Sequence, residues 1–402
     1  MNNSKLIYLD NNATTKVDEK VLEAMLPYFS KYYGNPSSMY DLGGINSKVI
    51  KESREVMKDF FGAKSAKEIF FTASGSESAN MAIRGVLSEN KAMNHIITTK
   101  VEHACVLNLY KQLEKEGYNV TYIGVNSVGE LNKEELYDAI TDKTALVSVM
   151  FANNETGTIF PVEEIASGVK AKNPRTKVFV DGVQAAGKIA INVKDTDIDL
   201  MGVSGHKFHA PKGIGALYVK SSTLITPLII GGHQESGKRA GTENVPSIVG
   251  LATAAKMAQE ALPYESTKVK ELRDKLEKGL LSKIYNARLN SSAPNRVPNT
   301  TNIGFEYIEG ELILLNMNDI GICASSGSAC TSGSLDPSHV LKAMGVPFTA
   351  LHGSIRFSLS RFTTEDEIDY TIAKMPAIIE KLAKISPFQK ELKELRERKG
   401  II

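Results

Sequence analysis

Lys207 stands in "SGHKFHAPKGIG", just past the apolar run "IDLMGV" and with no acid beside it in the chain. A lysine held in a pocket that lowers its pKa can form a Schiff base with an aldehyde. Asp181 closes a second apolar run, "KVFV", and Gln184 follows it three residues later. A third run, "EIFFTA", ends in the turn "SGSES". There Ser74 and Glu77 have the spacing of a capping box, and the helix they open presents its first amides, those around Gly75 and Ser76, to an anion. A lysine for an aldehyde, an acid for a ring nitrogen and a turn for a phosphate are the parts that pyridoxal phosphate requires. Asn154 follows the run "ALVSVMFA", Ser204 and His206 flank Lys207, and His103 in "KVEHACVL" begins a helix after a strand. At the same sheet edge, His103 is placed to lie over a ring.

A different chemistry is written in "SSGSACTSGS", residues 325 to 334. Cys330 sits there among Ser, Gly, Ala and Thr, with nothing beside it to pack against. A Gly/Ser tether lets one atom visit two places, with reach growing as the square root of length. Cys323, in "DIGICAS", reads as a buried strand residue, and Cys105, one turn into a helix, as structural. Two patterns lead nowhere. "GHQESGK" has the opening of a P-loop, but Arg239 stands where a hydroxyl must bind magnesium. His206 and His209 suggest a metal pair at i, i+3 and lack a third ligand.

These residues need elements to carry them. Between about residues 66 and 220, β-rich runs alternate with helical patterns: "EIFFTA", "HIITT", "NVTYIGV", "ALVSVMFA", "KVFVD", "IDLMGVS" and "GALYV" are the strands. Nearly continuous apolar strands between helices imply an α/β fold, its sheet mostly parallel and covered on both faces. In such sheets ligands bind beyond the carboxyl ends of the strands, where the residues above fall. Near residue 262 the character changes. "ESTKVKELRDKLEKGLLSKI" reads as a long amphipathic helix, followed by the strands "TNIGFEYI" and "SIRFSLS". The reading is a large domain over residues 14–261, a smaller α+β domain from 1–13 with 262–385, and a charged helical tail over 386–402.

With 42% hydrophobic and 23% charged residues, the chain builds an ordinary core, and a net charge of +2 gives no pull toward nucleic acid or membrane. The start lacks the pattern of a signal peptide, and no run is long and apolar enough to span a bilayer. Three cysteines without a Cys-x-x-Cys pair argue against a disulfide framework or structural zinc. The expected place is the reducing cytoplasm.

Taken in order, "YLDNNATT", "GNPSS", "NNETGT", "DGVQAAGK", "SGHKFHAPKGIG", "RAGTEN", "SSGSACTSGS" and "IRFSLSRFTTEDEID" resemble a NifS/IscS-type cysteine desulfurase, over about residues 6 to 385. "EYIEGE" and "GSACTSGSLDPSHVL" lean toward the NifS side. The resemblance implies a class V aminotransferase of fold type I, a homodimer that uses pyridoxal phosphate to convert L-cysteine to L-alanine. The sulfur would remain as a persulfide on Cys330 and pass to an iron–sulfur scaffold of NifU/IscU type, with which Cys330 would transiently ligate a cluster. No resident metal is implied. By the same resemblance Lys207 holds the cofactor and moves protons, Asp181 pairs with the ring nitrogen, and His103 stacks on the ring. Gln184 and Asn154 bond around the phenolic oxygen and the substrate. Gly75, Ser76, Ser204 and His206 hold the phosphate, with Thr242 arriving from the second subunit. Arg356 clamps the substrate carboxylate, and Asn35 is a further candidate for it. The charged tail reads as a solvated face, and the resemblance adds a sharper reading in which it helps dock the scaffold.

Three residues depart from the pattern: Tyr40 where histidine is usual, Gly182 where alanine is usual, and Ser236 where arginine is common. Two other readings stand beside the desulfurase. One is another fold type I enzyme, such as an aminotransferase or a selenocysteine lyase, which would not need Cys330. The other is a non-catalytic scaffold that has kept the fold.

Overall fold

The computed structural model describes residues 6–291, 295–326 and 337–400. Its strands are β1 (Ile7–Tyr8), β2 (Ile69–Thr72), β3 (His95–Thr99), β4 (Asn119–Ile123), β5 (Thr144–Met150), β6 (Lys177–Asp181), β7 (Leu200–Ser204), β8 (Gly215–Val219), β9 (Ala287–Leu289), β10 (Thr300–Phe305), β11 (Ile322–Cys323), β12 (Ser325–Ser326) and β13 (Ser354–Ser358). The seven apolar runs of the first half form one sheet in the order β2-β8-β7-β6-β5-β3-β4. All its pairings are parallel except the two made by β8. Because β8 runs against both neighbours, β2 points the same way as β7. The carboxyl ends of β2, β5, β6 and β7 therefore share one edge.

β5, β7 and β8 are buried at every position, as strands covered on both faces must be. Their side chains alternate. Val178 and Val180 join a core with Phe60, Met201 and Leu251 on one face, while Phe179 joins Ala82, Tyr110 and Leu146 on the other. The helix Gly75–Glu89 packs on the second face and Val245–Tyr264 on the first, against Asp41–Phe61.

A separate core gathers Leu276, Ile303, Phe305, Phe357 and Met375 around the antiparallel sheet β12-β13-β10-β9. Ile7 and Leu9 are buried in it, β1 pairs with β11, and Asp10 bridges to Ser358. Residues 7–10 thus lie against the second core before the chain leads into the first.

The structure differs from the sequence reading in two local respects. The change of character near residue 262 falls inside a continuous helical run: Val245–Tyr264 passes through a π turn, Glu265–Val269, into Lys270–Lys283. Pro263 sits just before the turn and has no N–H to give the ladder, and Ser266 and Thr267 hydroxyls donate to its carbonyl. The capping box at Ser74 is also half formed. Ser74 Oγ accepts from Glu77 N at 3.1 Å, but the Glu77 carboxylate reaches Ala73 N at 2.8 Å and is held by Arg239 Nε at 2.8 Å. The nearby guanidinium draws it off the N-cap amide.

Candidate active site

Five strand ends open on one cavity of about 330 Å³. From the turn after β2 come Gly75 and Ser76, from the segment after β3 His103, and from beyond β5 Asn154. β6 and its turn supply Asp181 and Gln184, and β7 with its 3₁₀ turn supplies Ser204, His206 and Lys207. Arg356 reaches in from β13 of the second core, and all ten line the same cavity.

Thr242 and Asn35 are exposed and lie outside that lining, and Asn35 Oδ1 accepts from Ser37 N at 2.9 Å within its own turn. Cys330 falls outside the described residues. Tyr40 is exposed. A methyl added at Gly182 would meet the flexible Met201 side chain at 3.1 Å, a contact a small shift relieves.

Lys207 Nζ donates to the carbonyls of Asn12 at 2.7 Å and Ala13 at 2.8 Å. Asn12 is the hub of this wall. Its carbonyl also accepts from Gln184 Nε2 at 3.0 Å, and its own amide donates to Asn154 O at 3.1 Å and Thr300 Oγ1 at 2.8 Å. "YLDNNATT" therefore builds part of the site floor. Neither Asn12 nor Asp10 was legible as such, because neither lies at a strand end of the large sheet.

His103 is the N-cap of the helix Ala104–Lys115, and its Nδ1 accepts from Cys105 N at 3.2 Å. A nitrogen that accepts from a backbone N–H carries no proton, so the neutral ring bears its proton on Nε2. Burial lowers the His103 pKa, Asp181 opposes that, and Lys207 adds to it. His206 is pushed down to about 4 by burial and then by Lys207, while its Nδ1 lies 3.1 Å from Thr14 Oγ1. Both imidazoles are neutral at pH 7.

Asp181 is buried at the tip of β6, with Oδ1 accepting from Val183 N at 3.0 Å. Burial raises its pKa, and the facing His103 and Lys207 pull it back. Glu102, beside His103 in the chain, is wholly enclosed. Its pKa is pushed up to about 8 by burial and then by the charge of Asp181. Cys105 also lines the cavity, though the sequence reading held it structural. Burial, then the Asp181 charge, pushes its thiol up to about 12.

Arg356 is 4% exposed. Its Nη1 donates to Asn154 O at 3.0 Å and its Nη2 to Asp10 Oδ1 at 2.7 Å, while Nε is buried with no hydrogen-bond partner among the described residues. Beside it Glu155, pushed up to about 7 by burial, accepts from the Ser338 hydroxyl.

At the level of whole chains, residues 7–371 match the family described as aminotransferase class-V. A protein named cysteine desulfurase from Nostoc sp. is 57% identical over 387 residues, 96% of each chain. The protein named cysteine desulfurase NifS from Azotobacter vinelandii is 49% identical over 95% of this chain and 94% of its own. A solved structure called NifS-like protein superposes with a TM-score of 0.89 at 40% identity, over 94% of this chain and all of its own. With a mostly parallel sheet that gathers lysine, aspartate and a helix N-terminus at one edge, and a match that spans both cores, this chain belongs to the class-V aminotransferase family.

Proposed function

We propose that the protein is a cysteine desulfurase that binds pyridoxal phosphate, converts L-cysteine to L-alanine and keeps the sulfur as a persulfide on Cys330. One observation carries the reading. Lys207 and Asp181 come from adjacent strand ends onto one cavity that also receives the N-terminus of the helix Gly75–Glu89.

The residues fit the cofactor. Gly75 leaves room for an anion at the helix N-terminus, where an added Cβ would come within 2.8 Å of Val183 Cγ2 and 3.3 Å of Ser204 Cβ. Asp181, a buried carboxyl facing Lys207, suits a protonated ring nitrogen. When bound, the cofactor supplies a sink for the electron pair released at the substrate α-carbon.

The chain supplies the rest. Lys207 would be the amine that holds the cofactor's aldehyde and the group placed to move a proton at the substrate α-carbon. His103 holds its proton at Nε2 over the same cavity. Arg356 Nε is a buried donor without a partner among the described residues, at the place we assign to the substrate carboxylate. Gln184 and Asn154 bracket the ring oxygen. Gly75, Ser76, Ser204 and the neutral His206 cradle the phosphate. Cys330 on its Gly/Ser segment takes the substrate sulfur and delivers it to an iron–sulfur scaffold of NifU/IscU type.

We further assign Thr242 to the site of a second copy. It is exposed beyond a segment in which Leu224 and Ile230 are 67% and 85% exposed, apolar surface of the kind a homodimer covers. Asn35 stays a secondary candidate for the substrate carboxylate. No helix among the described residues is long and apolar enough to cross a membrane. Cys105 and Cys323 are free thiols, in keeping with the cytoplasm.

The test is incubation with L-cysteine and a reductant. Alanine and sulfide should appear one for one, with a persulfide on Cys330 by mass spectrometry. Holoenzyme that makes neither would remove the reading.

A further inference from the structure

Lys188 closes "DGVQAAGK" and has no part in the site as described above. It lies one turn beyond Gln184 and is 6% exposed. Its ammonium donates to Gln184 Oε1. A lysine ammonium has three donors and no acceptor, so this contact decides which end of the Gln184 amide is oxygen. With the oxygen held by Lys188 and one Nε2 hydrogen given to Asn12 O at 3.0 Å, a second Nε2 hydrogen remains on a side chain that lines the cavity. Without Lys188 the amide would be held at its nitrogen end alone, by Asn12 O, and its soft last torsion would let the second N–H swing away from the cavity.

A second observation concerns what stands behind Lys188. A cavity of about 10 Å³ is lined there by Lys188, Glu265, His209 and Arg361. Glu265 is 5% exposed and is the first residue of the π turn that breaks the helical run. The charges facing Lys188 come from three elements: Lys207 after β7, Arg356 on β13, and Glu265 on the π turn. His206 and His209 also feel its charge. Glu265 is thus the anion in a surrounding that is otherwise cationic. Burial and then Lys207 push the Lys188 pKa down while Glu265 pulls it back up, and burial raises the Glu265 pKa while Lys188 and then Arg361 pull it back down.

We propose that Lys188 is a positioning residue: held opposite Glu265, its ammonium locks the Gln184 amide with an N–H toward the cavity, so that the group bound there must be an acceptor, such as the cofactor's phenolic oxygen. The proposal rests on the cofactor reading above. A fixed donor stabilises the anionic oxygen, and a glutamine free to present its own oxygen does not.

The test is a pH titration of the yellow colour of the holoenzyme, with thermal unfolding recorded on the same samples. Lys188→Met should move the spectral midpoint upward by about one pH unit, the size expected for one lost charge-assisted donor. If Lys188→Met does not fold, Lys188→Leu, which likewise offers Gln184 Oε1 no donor, is titrated instead with the same expectation. In a Gln184→Leu background the Lys188 substitution should add little, because the effect runs through Gln184. A colourless wild type removes the cofactor reading and the Lys188 role together. A yellow wild type whose Lys188 variant keeps the same midpoint removes the Lys188 role alone. An equal shift with and without Gln184 would assign the effect to charge acting through space and overturn the positioning.

Discussion

Arg356 Nη2 donates to Asp10 Oδ1 at 2.7 Å, joining β13 of the second core to the first residues of the chain. The pair keeps a buried guanidinium neutralised, while its Nε has no hydrogen-bond partner among the described residues. Breaking a buried pair by removing one charge is costly, because the other stays behind uncompensated.

Asp10→Asn keeps the shape of that contact and removes its charge. We expect KM for L-cysteine to rise about tenfold, equivalent to about 1.4 kcal/mol, with kcat changing by less than about threefold. Steady-state kinetics with unfolding controls decide it. An unchanged KM would leave Asp10 with a role in folding alone.

Glu102 should make stability depend on pH. Its carboxyl is raised from 4.5 to about 8 by burial, so between these values the folded chain holds a proton that the unfolded chain has released. Stability contributed by this group therefore falls as pH rises through that window. Glu102→Gln cannot ionise. Its melting temperature should match wild type near pH 5 and exceed it by several degrees near pH 8.5, by calorimetry. A difference that does not grow with pH would show that Glu102 is not held neutral.

Gly75→Ala should damage cofactor binding more than folding. The added methyl would press on Val183 Cγ2 at 2.8 Å, at the helix N-terminus where an anion is to sit. Pyridoxal phosphate affinity, followed by fluorescence, should fall at least about tenfold, while the melting temperature of the apoprotein changes by no more than a few degrees. Equal affinity would place the phosphate elsewhere.

Cys105 is the cysteine that lines the cavity among the described residues, and it should be inert. Burial and the Asp181 charge push it up to about 12, and thiolate is the reactive form. Cys105→Ala should keep alanine production within about threefold of wild type, whereas Cys330→Ala should lose it. Peptide mapping after L-cysteine treatment should find the added sulfur on Cys330. A persulfide on Cys105 would reverse the assignment.

Much of this protein was legible in its residues because the signals are local. "KVFVD" reads as a buried strand from five residues, and so do the other six runs, which is why the parallel sheet and the polar residues at its ends could be placed. His103 as the start of a helix follows in the same way. The roles of Thr242, Arg356 and Cys330 came instead from the order of the motifs.

The tertiary structure decided what depends on residues far apart in the chain. Asn12 meets Lys207 and Gln184, and Asp10 meets Arg356, because β1 lies beside β11 and the chain then crosses to the large sheet. The same packing sets Glu265 near Lys188 and draws Glu77 toward Arg239 and off the Ser74 amide. Periodicity reports which face of an element is buried. It carries no record of how deeply a carboxyl will be enclosed or which distant charge will face it, and for Glu102 burial first and the Asp181 charge second are what hold its proton.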